Sequence, residues 1–226
     1  MLRKEAVTSD LLNLVKDLQN IDVLNNFVLT GGTALALQLG HRKSIDIDLF
    51  SSEIKDYNFI HNLLIDKYPN LELFHKNDSM LMLKINSINV DFVSVKGKVL
   101  EKPLTEDGIK YFGLNDISAM KLLAIQNRKE PKDYIDIMFI KKIIGMEKMF
   151  ENYQEKYEMK DLINVKKAIT DVKEINPFKL NNIQMLDNNF NLLDIYNINN
   201  YGIKEHNGSI DVGKRENFLK KLFKRK

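Results

Sequence analysis

The chain has 226 residues, of which 44% are hydrophobic and 29% are charged, and its formal net charge is +3. An apolar fraction of this size in a chain of this length is enough for a buried core, which excludes a disordered polypeptide. The sequence contains no cysteine, which excludes disulfides, thiolate metal sites and cysteine nucleophiles. It shows neither an apolar leader nor a run long enough to span a bilayer, so we expect a cytoplasmic protein without membrane contacts.

The first half of the chain is predicted to alternate helices with strands. Apolar periodicity and capping residues indicate helices over about 9–20, 33–39 and 57–67. The second of these should end at Gly40, and the third should turn Phe59 toward the core. Strand patterns occur over about 27–30, 44–50, 71–76, 79–86 and 88–95.

The second half of the chain is predicted to be helical. Asn115 or Asp116 is expected to cap the first of four helices, over about 116–127, 131–144, 146–157 and 160–173. The Asn-rich segment 176–212 follows neither period. The order of elements predicts an α+β fold: a mixed sheet with helices over 1–113, a helical domain over 114–213 and a basic tail over 214–226.

The charge is distributed unevenly, because the tail 214–226 carries +6 and the rest of the chain carries −3. Three interpretations of the tail remain open. It is a solvated end, an arm that contacts RNA phosphates, or a short helix that docks through the apolar side chains Phe218, Leu219, Leu222 and Phe223.

The stretch 27–50 carries the strongest indication of chemistry. Gly31 and Gly32 precede a helix, where the absence of Cβ atoms and the free N–H groups favour phosphate binding. Asp46 and Asp48 lie two residues apart in an alternating strand, so both carboxylates should leave one face, with Cα atoms about 7 Å apart. Two carboxylates at this separation can hold the pair of Mg²⁺ ions used in nucleotidyl transfer.

Asp91 is a candidate third ligand. It lies in the middle of the apolar strand 88–95 and needs a partner or a role there. If this strand runs beside the strand of Asp46 and Asp48, about 4.8 Å away, Asp91 can complete the metal site. The alternative is that Asp91 pairs with a lysine.

These motifs resemble those of the DNA polymerase β-like nucleotidyltransferases. Gly31-Gly32-Thr33, then Asp46-Ile-Asp48, then a distant strand Asp91 match the pattern of that superfamily, and GGTALALQLGHRKSIDIDLF is close to its AbiEii/AbiGii-type toxin branch. The resemblance extends over about 25–140 and includes later stretches around Lys121, Arg128 and 132–136. Many members have Gly-Ser where this chain has Gly32-Thr33, and threonine keeps the hydroxyl.

The resemblance implies a nucleotidyltransferase fold and an enzyme that transfers nucleotides from NTP with Mg²⁺ or Mn²⁺. It implies a bacterial toxin of the abortive-infection type, restrained by a cognate antitoxin protein, with tRNA or another RNA as the acceptor. Gly31, Gly32 and Thr33 would then bind the phosphates. Two alternatives are a nucleotidyltransferase that modifies a small molecule or a protein, and a catalytically degenerate module that binds RNA or a partner.

The helical half adds further candidate site residues. By the resemblance, Lys121 binds the nucleotide phosphates; on its own, it could equally extend its stem along a buried helix and reach solvent. Arg128 lies on nearly the same helical face and would complete a triphosphate clamp. Asp133 and Asp136 fall on a stripe that should be buried, so we expect them either to face the catalytic cleft or to pair with Lys121 or Arg128.

Overall fold

The computed structural model describes residues 1–53, 55–94 and 97–200. The basic tail 214–226 and the end of the Asn-rich segment therefore lie outside the described residues. Within the described part of the chain, no helix is both long and apolar enough to cross a bilayer.

Among the described residues, seven strands form one mixed sheet, in the order β3-β4-β5-β2-β1-β7-β6. β2 runs parallel to β5, β1 runs parallel to β7, and the other neighbours are antiparallel. The strands are β1 (Val28–Thr30), β2 (Ile47–Ser51), β3 (Glu72–Lys76), β4 (Met80–Ile85), β5 (Ile88–Ser94), β6 (Leu104–Glu106) and β7 (Ile109–Tyr111). The fold is thus α+β, as the sequence predicts.

The helices of the second half are organised around one central helix, α4, which contacts α5, α6, α7 and α2. Short 3₁₀ segments follow α7 as far as residue 200 and replace a regular element in the Asn-rich region. The helices are α1 (Ser9–Gln19), α2 (Gly31–Leu39), α3 (Tyr57–Lys67), α4 (Leu114–Asn127), α5 (Pro131–Ile144), α6 (Met146–Tyr157) and α7 (Ile163–Thr170).

A buried ion pair between α4 and α6 also holds the segment that precedes β6. Lys156 Nζ lies 2.6 Å from a carboxylate oxygen of Asp116, and both side chains are fully buried. The same carboxylate accepts hydrogen bonds from the backbone N–H groups of Leu100 and Glu101. The sequence suggested Asp116 as a cap of α4, but in the structure it does not cap the helix. The helix begins earlier, at Leu114, and Asp116 faces inward from its first turn.

The strand predicted over 44–50 begins only at Ile47. The Thr33 hydroxyl donates to the backbone oxygen of Asp46 and lies 2.8 Å from the Ser44 hydroxyl, so this stretch is bound to the start of α2 instead of pairing in the sheet. As a result, Ile45 is not a core residue and is 69% exposed.

Two further expectations differ from the structure. Phe59 is 54% exposed, because α3 packs through Tyr57, Ile60 and Leu64 instead. The β6–β7 hairpin was not predicted, since each strand has only three residues. Its parallel pairing with β1 extends the sheet beyond the glycine turn at the start of α2.

Candidate active site

The glycine turn between β1 and α2 is shaped around a carboxylate. Gly31 has φ +67°, a conformation that strongly favours glycine, and a Cβ placed on it would lie 2.0 Å from an oxygen of Asp48. A Cβ on Gly32 would lie 2.5 Å from the guanidinium of Arg42. The two glycines therefore allow an acid and a base to approach the first turn of α2 closely.

Asp48 and Asp91 lie directly opposite each other on the parallel strands β2 and β5. Neither carboxylate has a hydrogen bond or an ion pair to any residue in the described ranges. Burial raises the pKa of Asp48, and the negative charge of Asp46 adds to this effect. Burial, followed by the charges of Asp48 and Asp46, raises the pKa of Asp91 to about 6. Negative charge in this part of the cleft is thus poorly compensated.

Asp46 lies just before β2 and is bound at its two oxygens by different groups. Asn89 Nδ2 donates to Oδ1 at 3.0 Å, and Lys132 Nζ lies 3.5 Å from Oδ2. As placed here, no group of three or more His, Asp or Glu side chains in the described residues forms a metal-binding cluster. Asp46 would have to leave Lys132 to join Asp48 and Asp91 around a cation.

A second group of acids, on α5, is fully paired. Asp136 accepts hydrogen bonds from Arg42 Nε at 2.7 Å and Arg42 Nη2 at 2.8 Å, and Lys121 Nζ lies 2.6 Å from its second oxygen. His41 Nε2 lies 2.8 Å from the first oxygen. Burial alone would raise the pKa of Asp136, but Lys121 and Arg42 hold it well below its usual range.

Asp133 lies one turn earlier on α5 and binds two cations of the neighbouring segment. Lys121 Nζ is 2.8 Å from Oδ1, and Arg128 Nε is 2.9 Å from Oδ2. Burial alone would lower the pKa of Lys121, but the charges of Asp133 and Asp136 outweigh it and raise the pKa above its ordinary value. The pairing that the sequence left open for Asp133 and Asp136 is therefore present in the structure.

The sheet acids and the cations that bind the α5 acids meet at a cleft of about 290 Å³. Its walls include three acids, Asp46, Asp48 and Asp91, and four cations, Arg42, Lys121, Arg128 and Lys132. Thr33 is not among the lining residues, because its hydroxyl is used to hold the segment that leads into β2.

Several cleft residues were given no role from the sequence. Lys132 lies beside the predicted Asp133, and Asn89 shares a face of β5 with Asp91, so strand alternation could have identified it. Phe74 and Met82 also line the cleft, from β3 and β4. Phe74 and Met82 reach the cleft only because β3 and β4 pair with the rest of the sheet, and no local sequence pattern predicts this.

The cleft offers a suitable donor set for a hard divalent cation. Its acids supply only oxygen atoms, which Mg²⁺ and Mn²⁺ prefer. The raised pKa values of Asp48 and Asp91 indicate a deficit of positive charge that a cation would relieve. By this criterion Asp48 and Asp91 fit a metal ion, and Asp46 would join them only after leaving Lys132.

Comparisons with known proteins show what this sequence is similar to. Residues 14–74 match the family model described as nucleotidyl transferase AbiEii toxin, type IV TA system, and this segment contains the glycine turn and β2. An uncharacterized protein of Aquifex aeolicus is 28% identical over 155 residues, which cover 66% of this chain and 75% of that protein.

Two solved structures from Helicobacter pylori share the fold. JHP933 is 18% identical with a TM-score of 0.54, and the match covers 96% of this chain and 99% of that one. A second protein, whose structure was solved as that of a candidate nucleotidyltransferase, is also 18% identical with a TM-score of 0.54, over 84% of this chain and 93% of that one. The match over residues 14–74 supports a relationship to the AbiEii-type nucleotidyltransferase toxins, and the two solved structures show that the fold is shared.

Proposed function

We propose that this protein transfers nucleotides from an NTP to the 3′ end of an RNA, with tRNA as the first candidate, in a reaction that depends on Mg²⁺ or Mn²⁺. As a toxin of its family, it would be restrained by a cognate antitoxin protein. One observation carries the proposal: carboxylates from two neighbouring strands meet a glycine turn and four lysine or arginine side chains in a single cleft.

In this proposal the acids have distinct roles. Asp46, Asp48 and Asp91 would hold Mg²⁺ or Mn²⁺, which when bound supplies Lewis-acid chemistry to the phosphates and the attacking hydroxyl. The acceptor oxygen forms a bond to the α-phosphorus, the bond to the leaving pyrophosphate breaks, and Asp91 accepts the proton of the hydroxyl. The half-buried position of Asp91, beside Asp48, favours that role.

The cations act on the triphosphate. Arg128 is 55% exposed although it binds Asp133, so its guanidinium can also reach a phosphate in the cleft. Lys132 is 41% exposed and would exchange Asp46 for a phosphate when the nucleotide binds. Lys121 binds Asp133 and Asp136 and also lines the cleft, where it supplies positive charge. Gly31 and Gly32 let the phosphates approach the start of α2.

Transfer of labelled nucleotide tests the proposal. The purified protein is incubated with each α-labelled NTP, Mg²⁺ and total tRNA, and labelled RNA is separated from free nucleotide. We expect label in tRNA from the wild type, and a loss of at least about 10³-fold in Asp46→Ala and in Asp48→Ala. Glu53→Ala, which removes an exposed acid outside the cleft, is the control.

Other outcomes identify the alternatives. Label that appears in protein or in a small molecule, and not in RNA, would show a nucleotidyltransferase with a different acceptor. Binding of RNA without transfer of any nucleotide would support a degenerate module. Full transfer by Asp48→Ala would contradict the proposed site itself.

A further inference from the structure

The edge strand β3 contains an irregularity that turns an aromatic ring toward the cleft. Leu73 pairs with Leu83, but His75 pairs with the next residue along, Met82, so Phe74 is an extra residue at a β-bulge. Bulges redirect side chains and occur often beside active sites. Phe74 is 58% exposed and nevertheless lines the cleft of Asp48 and Asp91.

The register of the sheet places this ring in line with the acids. Met82 pairs with Asp91, and Asp91 pairs with Asp48. Starting from the sheet edge, the cleft floor is therefore Phe74, Met82, Asp91 and Asp48, with about 4.8 Å between neighbouring strands. An apolar surface thus adjoins Asp91 on the side away from the glycine turn.

We propose that Phe74 and Met82 form a platform on which the terminal base of the acceptor RNA stacks, which brings the hydroxyl of the same nucleotide to Asp91. This inference rests on the proposed function. Stacking of a base on an aromatic ring is worth about 1–3 kcal/mol and tolerates any base. Met82 adds a polarizable surface beside the ring. The platform would select an acceptor with a flat ring at its reactive end.

The position of the platform favours the acceptor over the NTP. The glycine turn that would receive the triphosphate follows β1, on the opposite side of β2 from β5. A second recess of about 230 Å³ borders Gly31 and Asp48 there, with apolar side chains of Met120, Leu123 and Tyr157 in its wall. It adjoins the cleft at Asp48 but includes neither Phe74 nor Met82, so we place the donor base in this recess.

Fluorescence can test the platform without measuring activity. The chain contains no tryptophan, so Phe74→Trp introduces a single reporter. In an Asp48→Asn background, which prevents turnover, we expect quenching by an RNA oligonucleotide that ends in CCA. The same oligonucleotide with an abasic terminal residue should quench much less, and ATP or CTP alone should not quench. Equal quenching by the abasic oligonucleotide, quenching by the NTPs alone, or no quenching by RNA would overturn the inference.

Steady-state kinetics provide the second test. Phe74→Ala should raise the KM for the RNA acceptor at least about fivefold and leave the KM for NTP unchanged. Phe74→Tyr, which keeps the ring, should restore the wild-type KM. The matched control is Phe59→Ala, which removes an equally exposed ring that does not line the cleft. An unchanged acceptor KM in Phe74→Ala, with transfer to RNA intact, would refute the platform and leave the proposed function standing.

Discussion

Asp133 and Asp136 on α5 are paired with buried or half-buried cations, whereas Asp48 and Asp91 on the sheet have no hydrogen-bonded or ionic partner in the described residues. The pKa values of the first pair are lowered, although burial alone would raise them, because Lys121 is adjacent to both. Burial raises the pKa values of the second pair, and nearby acids add to the shift. Asp48 and Asp91 line the cleft, whereas Asp133 and Asp136 bind cations that line it.

This contrast separates the acids that build the cleft from those that are available to a substrate. A buried acid with cations on both oxygens holds its helix in place and is costly to disturb. Acids that repel one another reduce stability, and such an arrangement is typical of a functional site. Four predictions test the contrast, beginning with the largest expected effect.

Removing one paired acid should strongly destabilise the fold. Asp136→Asn leaves Lys121 and Arg42 buried with too little negative charge, so we expect the free energy of unfolding to fall by about 3–5 kcal/mol. The control is Asp17→Asn, because the Asp17–Lys67 pair is exposed and should contribute less than about 1 kcal/mol. Urea denaturation measures the free energy of unfolding of both variants. Equal losses would contradict the distinction between the buried pairs of Asp136 and the exposed Asp17–Lys67 pair.

Lys121→Met should reduce stability as well as transfer. A lysine that only binds the triphosphate, as the resemblance implies, would lose transfer with little change in stability. The structure places Lys121 at 4% exposure between two acids, so we expect a loss of about 2–4 kcal/mol in addition to a roughly 10²-fold loss of transfer. Wild-type stability in this variant would contradict the paired cluster.

Gly31→Ala should displace the Asp48 carboxylate from the glycine turn. Its φ of +67° and the 2.0 Å approach of Asp48 both oppose a Cβ, so we expect a loss of about 2–3 kcal/mol together with loss of transfer. The matched control is Gly108→Ala, where φ is +77° but no atom lies within 4 Å. That variant should show only the backbone cost, about 1 kcal/mol, and normal transfer. Equal effects in both would argue against a specific approach of Asp48.

The unpaired acids should give a small pH effect of defined sign. The pKa of Asp91 is about 6 in the folded state and lies near its ordinary, lower value in the unfolded state, so the folded state binds more protons between these values. Wild-type stability should therefore fall relative to Asp91→Asn as pH rises from 4 to 7. The difference should be about 1 kcal/mol after solvent screening is considered. Chemical denaturation across this range measures it, and a constant difference would contradict the raised pKa of Asp91.

The main elements were predictable because their signals are local. The caps of α1 and α5, the alternation of β4 and β5, and the glycine turn each occupy a few neighbouring residues. The β6–β7 hairpin also had a local signal, since Asp107-Gly108 is a frequent turn pair, but its three-residue strands are too short for the alternation to be read.

The remaining features depend on contacts between distant segments. Ser44–Asp46 is drawn out of the sheet by Thr33, and Phe74 reaches the cleft only through a shift in strand pairing. Lys121 meets Asp133 and Asp136 through the packing of α4 against α5. The sequence could place these residues on a helix or strand, but it could not choose between a paired acid and an available one.

Thermal unfolding of the wild type and Asp48→Asn, with and without Mg²⁺, tests the central claim most directly. If the sheet acids are unpaired because they receive a cation, Asp48→Asn should unfold at a higher temperature than the wild type in the absence of Mg²⁺. Mg²⁺ should then raise the unfolding temperature of the wild type, with a stabilisation of about 2.7 kcal/mol at 100 times its Kd, and leave the variant nearly unchanged. Equal shifts in both proteins, or a variant less stable than the wild type without Mg²⁺, would contradict the account.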